Sequence, residues 1–292
     1  MLRSGLAFAL TVLIVPAARA QIYVDVNLVV LPSTVQDRHG QRITDLQEAN
    51  FAVYEDRVPQ RIRLFRHEDI PVAVGLVVDH SGSMEPKLAE VTAGAKAFVR
   101  SSNTNDQMFV VNFNENASFG LPDAIGFTTN AEELERAIWR TRAVGETALY
   151  DAIVKALVRL QTGGLDKKVL VVISDGADNA SAHSLAEVLQ MAEGCGAIIY
   201  TVGLFAPDDH DVNPKVLHRL AQATGGEAFF PRDLSDVVTI CERIAQDIRS
   251  QYTIGYVSSN VKQDGVFRTV RVAAQARDRG KLSVRTRSGY AR

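Results

Sequence analysis

The apolar positions of this chain follow two different patterns. Between about residues 70 and 250, unbroken apolar runs alternate with segments of helical spacing, whereas on either side short runs alternate apolar with polar residues. Val72 to Val78 are apolar or glycine throughout, which suits a strand in the interior of a parallel sheet covered on both faces. Pro86 to Ser102 carry Leu88, Val91, Ala95, Phe98 and Val99 at helical spacing, and Met108 to Phe113 predict the next strand. Ala131 to Trp139 and Ala148 to Leu160 predict helices, and Lys168 to Ser174 predict a second buried strand. The unit then repeats: a helix over Leu185 to Ala192, a strand over Ala197 to Leu204, a helix over Pro214 to Ala223, the apolar pair Phe229 and Phe230, and a last helix from about Leu234 to Arg249. This alternation predicts a doubly wound, mostly parallel α/β sheet flanked by helices.

The flanks read as β structure. In the stretch 22–30, Ile22, Val24, Val26, Leu28 and Val30 share one face and Asp25 and Asn27 the other, so a half-buried strand with Leu28 and Val30 on the apolar face is expected. Short strands are expected at Phe51 to Tyr54 and Arg61 to Phe65, separated by the polar stretch EDRVPQ. After the last helix, Tyr252 to Tyr256, Phe267 to Ala273 and Leu282 to Arg287 predict strands, with turns at Asp264-Gly265 and Asp278 to Gly280. Because such blocks bracket the α/β region, the two ends are expected to pair into one small β domain. The expected division is a leader over 1–20, β segments over 21–69 and 251–292, and the α/β domain over 70–250.

The leader rests on Arg3, an apolar stretch from Leu6 to Val15 too short to span a bilayer, and Pro16 ahead of Ala18-Arg19-Ala20. It predicts an exported chain, periplasmic or extracellular, beginning at Gln21. Its removal takes Arg3 and Arg19 from the 32 basic residues while all 34 acidic ones remain, so there is no basic excess of the kind nucleic-acid binding needs. Cys195 and Cys241 are too few for a disulfide framework and read equally well as small apolar residues.

Candidate chemistry gathers where predicted strands end, the usual place for sites in open parallel sheets. The first strand runs into Asp79, His80, Ser81, Gly82 and Ser83; the strand of 168–174 runs into Asp175 within SDGADN; Gly145-Glu146-Thr147 precedes a helix. Singly, these have ordinary readings as helix caps and a turn. Asp79, His80 and Ser81 contain the residue types of a hydrolase triad, but consecutive side chains cannot form a nucleophile–base–orienter chain. No phosphate-cradling glycine loop with a lysine is present, and an aspartate-nucleophile phosphatase would want a second acid where Ser81 stands.

Together, Asp79-x-Ser81-x-Ser83, Thr147 after Gly145, and Asp175 at a strand end resemble the metal-ion-dependent adhesion site of the von Willebrand factor type A domain. The resemblance covers roughly residues 70–250. The flanks, with ANFAVYEDRVPQ before and QYTIGY…SGY after, are similar to bacterial secreted proteins of that family. It implies adjacent strands at 72–78 and 168–174 and loops converging at one edge. Ser81, Ser83 and Thr147 would ligate a divalent cation directly, and Asp79 and Asp175 would act chiefly through bound water. Mg²⁺ suits such oxygen donors, with Mn²⁺ or Ca²⁺ as alternatives. The implied function is non-enzymatic: neutral ligands leave the cation able to take an Asp or Glu carboxylate from a partner protein. A scaffold whose ion only steadies the loops, and a metal-dependent hydrolase, are the competing readings.

Three features stand apart. His80 sits where the family commonly has a small or polar residue and is expected to point into solvent, away from the ligands; facing the ion, it would favour Mn²⁺ or Zn²⁺. Asp208, Asp209, His210 and Asp211 form an acidic run expected to be a solvated turn. The tail carries Arg268, Arg271, Lys281, Arg285 and Arg287, expected on a wet strand face, with contact to an anionic cell surface or membrane left open.

Overall fold

The computed structural model describes residues 28–139, 141–205, 212–262 and 265–291. The leader, the first part of the strand expected over 22–30, the acidic run 208–211 and Asp264 lie outside the described residues. The elements are β1 (Leu28–Gln36), β2 (Phe51–Glu55), β3 (Val58–Gln60), β4 (Ile62–Arg66), β5 (Ala73–Asp79), α1 (Leu88–Ser101), β6 (Gln107–Phe113), β7 (Ala117–Phe119), α2 (Ala131–Ile138), α3 (Leu149–Gln161) and β8 (Lys168–Ser174). There follow α4 (Leu185–Cys195), β9 (Ile198–Gly203), α5 (Pro214–Thr224), β10 (Ala228–Phe229), α6 (Asp236–Arg249), β11 (Tyr252–Val257), β12 (Phe267–Ala274), β13 (Ser283–Arg285) and β14 (Gly289–Ala291).

The central sheet has six strands in the order β10-β9-β8-β5-β6-β7. The doubly wound expectation holds: every pairing is parallel except that of β6 with the edge strand β7, which the sequence reading did not anticipate. Every residue of β5 is buried, as its uninterrupted apolar run requires. Helix α1 packs on α6, and α3, α4 and α5 form a second row. The first turn expected of α1 is instead a 3-10 segment, Gly82–Lys87, with Pro86 inside it. Growth of the sheet from β5 to β6 on one side, then from β8 to β9 on the other, puts the reversal point between β5 and β8.

The two ends of the chain build a pair of four-stranded sheets, β13-β1-β11-β4 and β14-β12-β2-β3, each with strands from both termini. Their shared core includes Val29, Leu31, Val53, Tyr252, Ile254, Tyr256 and Val272. The face expected for β1 is inverted. Leu31 lies opposite Ile254 and both are fully buried, so the period of two turns Leu28 and Val30 outward, each 38% exposed. Leu28 covers bare Gly255 on the neighbouring strand. EDRVPQ is not merely a polar spacer: Asp56 and Arg57 both have positive φ and close a tight hairpin in which Glu55 pairs with Val58. The Asp56 carboxylate accepts from the Thr269 N–H (2.9 Å) and hydroxyl (3.0 Å), tying the turn to β12.

The tail is also drier than expected. Arg268 is 1% exposed, because its guanidinium donates to Asn260 O (2.7 Å) and pairs with Glu55 (3.4 Å), itself 2% exposed. Glu55 further accepts from Tyr256 (2.6 Å), Ser258 (2.5 Å) and Tyr290 (2.7 Å). Arg285 pairs with Glu227 and Asp247, joining the tail to the α/β layer. Cys195 and Cys241 are free thiols, the latter buried.

Burial alone would raise the Glu55 carboxyl; its three hydroxyl donors and the Arg268 charge outweigh this and hold it below the ordinary 4.5. A depressed folded-state value means that its stabilisation is complete above the unfolded value and is lost as pH falls through the folded one. Denaturant unfolding of the wild type is therefore expected to weaken below about pH 4.5. At pH 7, Glu55→Ala should cost about 3–5 kcal/mol by leaving Arg268 buried and unpaired. An unchanged denaturation midpoint would show that the network contributes nothing.

Candidate functional site

Asp79 ends β5, and Asp175 follows Ser174 at the end of β8. The two strands are parallel neighbours, Val78 opposite Ile173, so both acids leave the sheet side by side at its carboxyl edge. Asp79 is fully buried and Asp175 is 2% exposed. The Ser81 N–H donates to Asp79 Oδ1 (2.8 Å) and the Ser174 hydroxyl to Asp79 Oδ2 (2.6 Å). The Ser83 hydroxyl donates to Asp175 Oδ2 (2.6 Å) and lies 3.2 Å from the Ser81 hydroxyl, while Asp175 Oδ1 accepts from the Ala177 N–H (3.0 Å). Ser83 is exposed, so the cluster opens to solvent on its side.

Thr147 arrives from the loop before α3. That loop is pinned to the first: Val144 N–H donates to His80 O (2.9 Å) and Gly82 N–H to Gly145 O (3.2 Å). Thr147 is buried, its N–H donates to Asn179 Oδ1 (2.8 Å), and its carbonyl accepts from Asn179 (3.0 Å) and Ala180 (3.1 Å), which binds it to the loop carrying Asp175. The structure thus joins Asp79, Ser81, Ser83 and Asp175 by direct hydrogen bonds and brings Thr147 to the same edge through its backbone. Ser174, Asn179 and Glu115 complete the frame. Sequence reasoning passed over them, although Ser174 is the one hydroxyl ending an otherwise apolar strand and Asn179 lies within the quoted SDGADN.

The electrostatics single this edge out. Burial pushes the Asp79 carboxyl up to about 6; hydrogen bonds from Ser174 and Ser81 oppose this, and the Asp175 charge adds to it. Among the described residues, no Lys, Arg or His pairs with Asp79 or Asp175. Adjacent buried carboxylates without a positive partner call for a cation or a proton. The donor set of carboxylates and small hydroxyls fits a hard, oxygen-seeking ion. Among the described residues no group of three or more His, Cys, Asp or Glu is arranged to hold a metal ion, so any ion here would depend on the serine and threonine hydroxyls beside the two acids.

His80 corrects the sequence expectation. It does turn away from the serine hydroxyls, but into protein rather than solvent: it is 1% exposed, with Nδ1 3.1 Å from Val78 O and Nε2 3.0 Å from Ile138 O. Burial lowers its pKa first, against the two carbonyls. The neutral ring carries one N–H, so it donates to one of these carbonyls while packed between the site loop and the end of α2.

The sequence profile of the von Willebrand factor type A domain matches residues 74–243, more than half of the chain, and the protein belongs to that family. Such domains serve in general as protein-interaction or adhesion modules rather than enzymes. No curated protein matches the sequence. Similar solved structures include a von Willebrand factor type A protein from Catenulispora acidiphila (18% identity, TM-score 0.55, covering 82% of this chain and 73% of that one). Another is conserved hypothetical protein BatB from Bacteroides thetaiotaomicron (17%, 0.51, 61% and 97%). A third is proximal thread matrix protein 1 from the mussel byssus (16%, 0.53, 67% and 51%). At these identities the likeness is one of fold. No helix among the described residues is long and apolar enough to cross a membrane.

Gly145 gives a direct test of the loop frame. It has φ +85°, and a Cβ there would collide with the Glu115 carboxylate, which accepts from the Glu146 N–H at 3.2 Å. Gly145→Ala is expected to cost about 1–2 kcal/mol from the left-handed backbone alone, read by chemical denaturation. A neutral result would mean that the loop relaxes freely.

Proposed function

We propose that the protein is an exported, non-enzymatic binding module. In this reading Asp79, Ser81, Ser83, Thr147 and Asp175 hold a divalent cation, Mg²⁺ or a close substitute, to capture an Asp or Glu carboxylate of a partner protein. The observation that carries the reading is the pair of buried carboxylates with no basic partner among the described residues, bonded to the hydroxyls of Ser83 and Ser174. The cation would supply a positive charge that hydroxyl ligands compensate poorly, and hence an affinity for an external carboxylate. The chain's own groups do the positioning. Ser174 and the Ser81 N–H orient Asp79, Asn179 holds the Thr147 backbone, and the Ser83–Asp175 bond draws the first and third loops together. Export is supported by the leader pattern, and protein partnership by the general role of the family.

Calorimetric titration of chelator-stripped protein with Mg²⁺ and Mn²⁺ tests the reading. One saturable site is expected, abolished by Asp79→Ala and weakened about ten- to hundredfold by Ser174→Ala, the usual effect of losing a group that orients a ligand. Thr147→Ala should lose chelator-sensitive partner capture while the fold, followed by circular dichroism, persists. Capture that survives Thr147→Ala and chelator would instead favour a scaffold in which the ion steadies the loops. Absence of ion binding would overturn the metal-dependent reading.

A further inference from the structure

We infer that the partner's acidic residue is accompanied by a large apolar neighbour, received by an apolar rim made of Trp139 and Val144. The inference rests on the cation reading above and adds to it the kind of peptide the site selects.

Trp139 is the only tryptophan of the chain, and it is 57% exposed; Val144 is 59% exposed. Tryptophan and arginine are enriched among the residues that carry binding energy at protein interfaces, and apolar surface rimmed by polar groups marks interaction sites. Both are fastened to the site loop through His80. The His80 carbonyl accepts from the Val144 N–H (2.9 Å), and its ring reaches the carbonyl of Ile138, the residue before Trp139 (3.0 Å). Val144 also precedes Gly145, whose carbonyl accepts from Gly82 N–H between the two serines. The end of α2 is held at the carboxyl edge a second time, by Asn112 Nδ2 donating to Ala137 O (2.7 Å), and Asn112 lies opposite Val78 in the sheet. Trp139 and Val144 are thus tied to the segment that carries the carboxylate cluster: Val144 by a backbone bond, and the end of α2 by Asn112 and by a contact of the His80 ring that a small residue could not make. Arg142, exposed in the same segment, adds a positive charge on the approach. An acidic peptide with an apolar residue next to its carboxylate matches this surface; one with polar neighbours would leave Trp139 and Val144 in water.

The test uses the full chain loaded with Mg²⁺ as bait for a displayed peptide library with one fixed Asp between randomised positions, beside a library with Asn fixed there. Selection is expected to enrich Leu, Ile, Phe or Trp next to the Asp, with nothing from the Asn library. Selected peptides should shift the emission of Trp139 to shorter wavelength. Trp139→Ala should weaken them about tenfold, as loss of an aromatic interface contact does, with the calorimetric Mg²⁺ affinity unchanged. Asp-dependent, Mg²⁺-dependent binding without apolar enrichment, or with unchanged affinity in Trp139→Ala, overturns this inference and leaves the cation reading standing. Failure of both Mg²⁺ and peptide to bind overturns both.

Discussion

Burial of Asp79 at the end of the central strand is the constraint around which the α/β layer is arranged. A carboxylate out of water must be satisfied by hydrogen bonds and by charge. The hydrogen bonds come from the Ser81 N–H and the Ser174 hydroxyl, so β5, its following loop and β8 meet at one point. Charge compensation does not come from any described basic side chain, and Asp175 next door makes the deficit larger. The loop that carries Thr147 closes the third side through backbone bonds to His80, Gly82 and Asn179. Three segments distant in sequence are therefore held around a point of unbalanced negative charge.

The β-sandwich solves the same problem by the opposite means. Glu55 is as deeply buried, yet it meets Arg268 and three hydroxyls within the protein, and its pKa is depressed where that of Asp79 is raised. Its partners come from β11, β12, β14 and the turn after β11, so one N-terminal acid gathers three of the four C-terminal strands. Arg285 then ties that tail to Glu227 and Asp247 of the α/β layer. One buried acid is neutralised in place and holds the fold; the other, equally buried, has no described basic partner at the carboxyl edge of the sheet.

The α/β layer was legible in the sequence because its strands are buried on both faces and so lose all polar alternation, as in Val72 to Val78 and Lys168 to Ser174. The site residues were legible for a related reason: short oxygen-bearing side chains at the ends of such runs stand out. The flanks resisted. β1 carries apolar residues on both faces, since Leu28 covers Gly255 outside while Leu31 packs inside, so alternation could not say which face was the core. The turn at Asp56 and Arg57 lacks glycine, its positive φ angles being held by Asp56 bonding to Thr269, a contact no local pattern announces. Arg268 looked like a surface charge because its partner lies over two hundred residues away in sequence. His80 misled for a different reason: the alternation rule gave its direction away from the hydroxyls correctly, but not that α2 would be waiting on that side.

The same local geometry bears on whether the site breaks bonds. A nucleophilic serine needs a base within hydrogen-bond reach, itself held by a third group. The adjacent imidazole, His80, has both nitrogens directed at backbone carbonyls and so offers no lone pair to Ser81 or Ser83. His183 pairs with Asp151 at 2.7 Å, and neither partner bonds to the serine loop. Ser83 does donate to a carboxylate, but Asp175 is simultaneously engaged by the Ala177 N–H and sits beside a second, buried acid. A carboxylate placed among hydroxyls, with no basic partner among the described residues, is better suited to gathering positive charge than to driving a serine onto a carbonyl. The carboxyl edge of the sheet thus presents acids and hydroxyls without a described base in reach of the serines, on three loops tied together by backbone bonds.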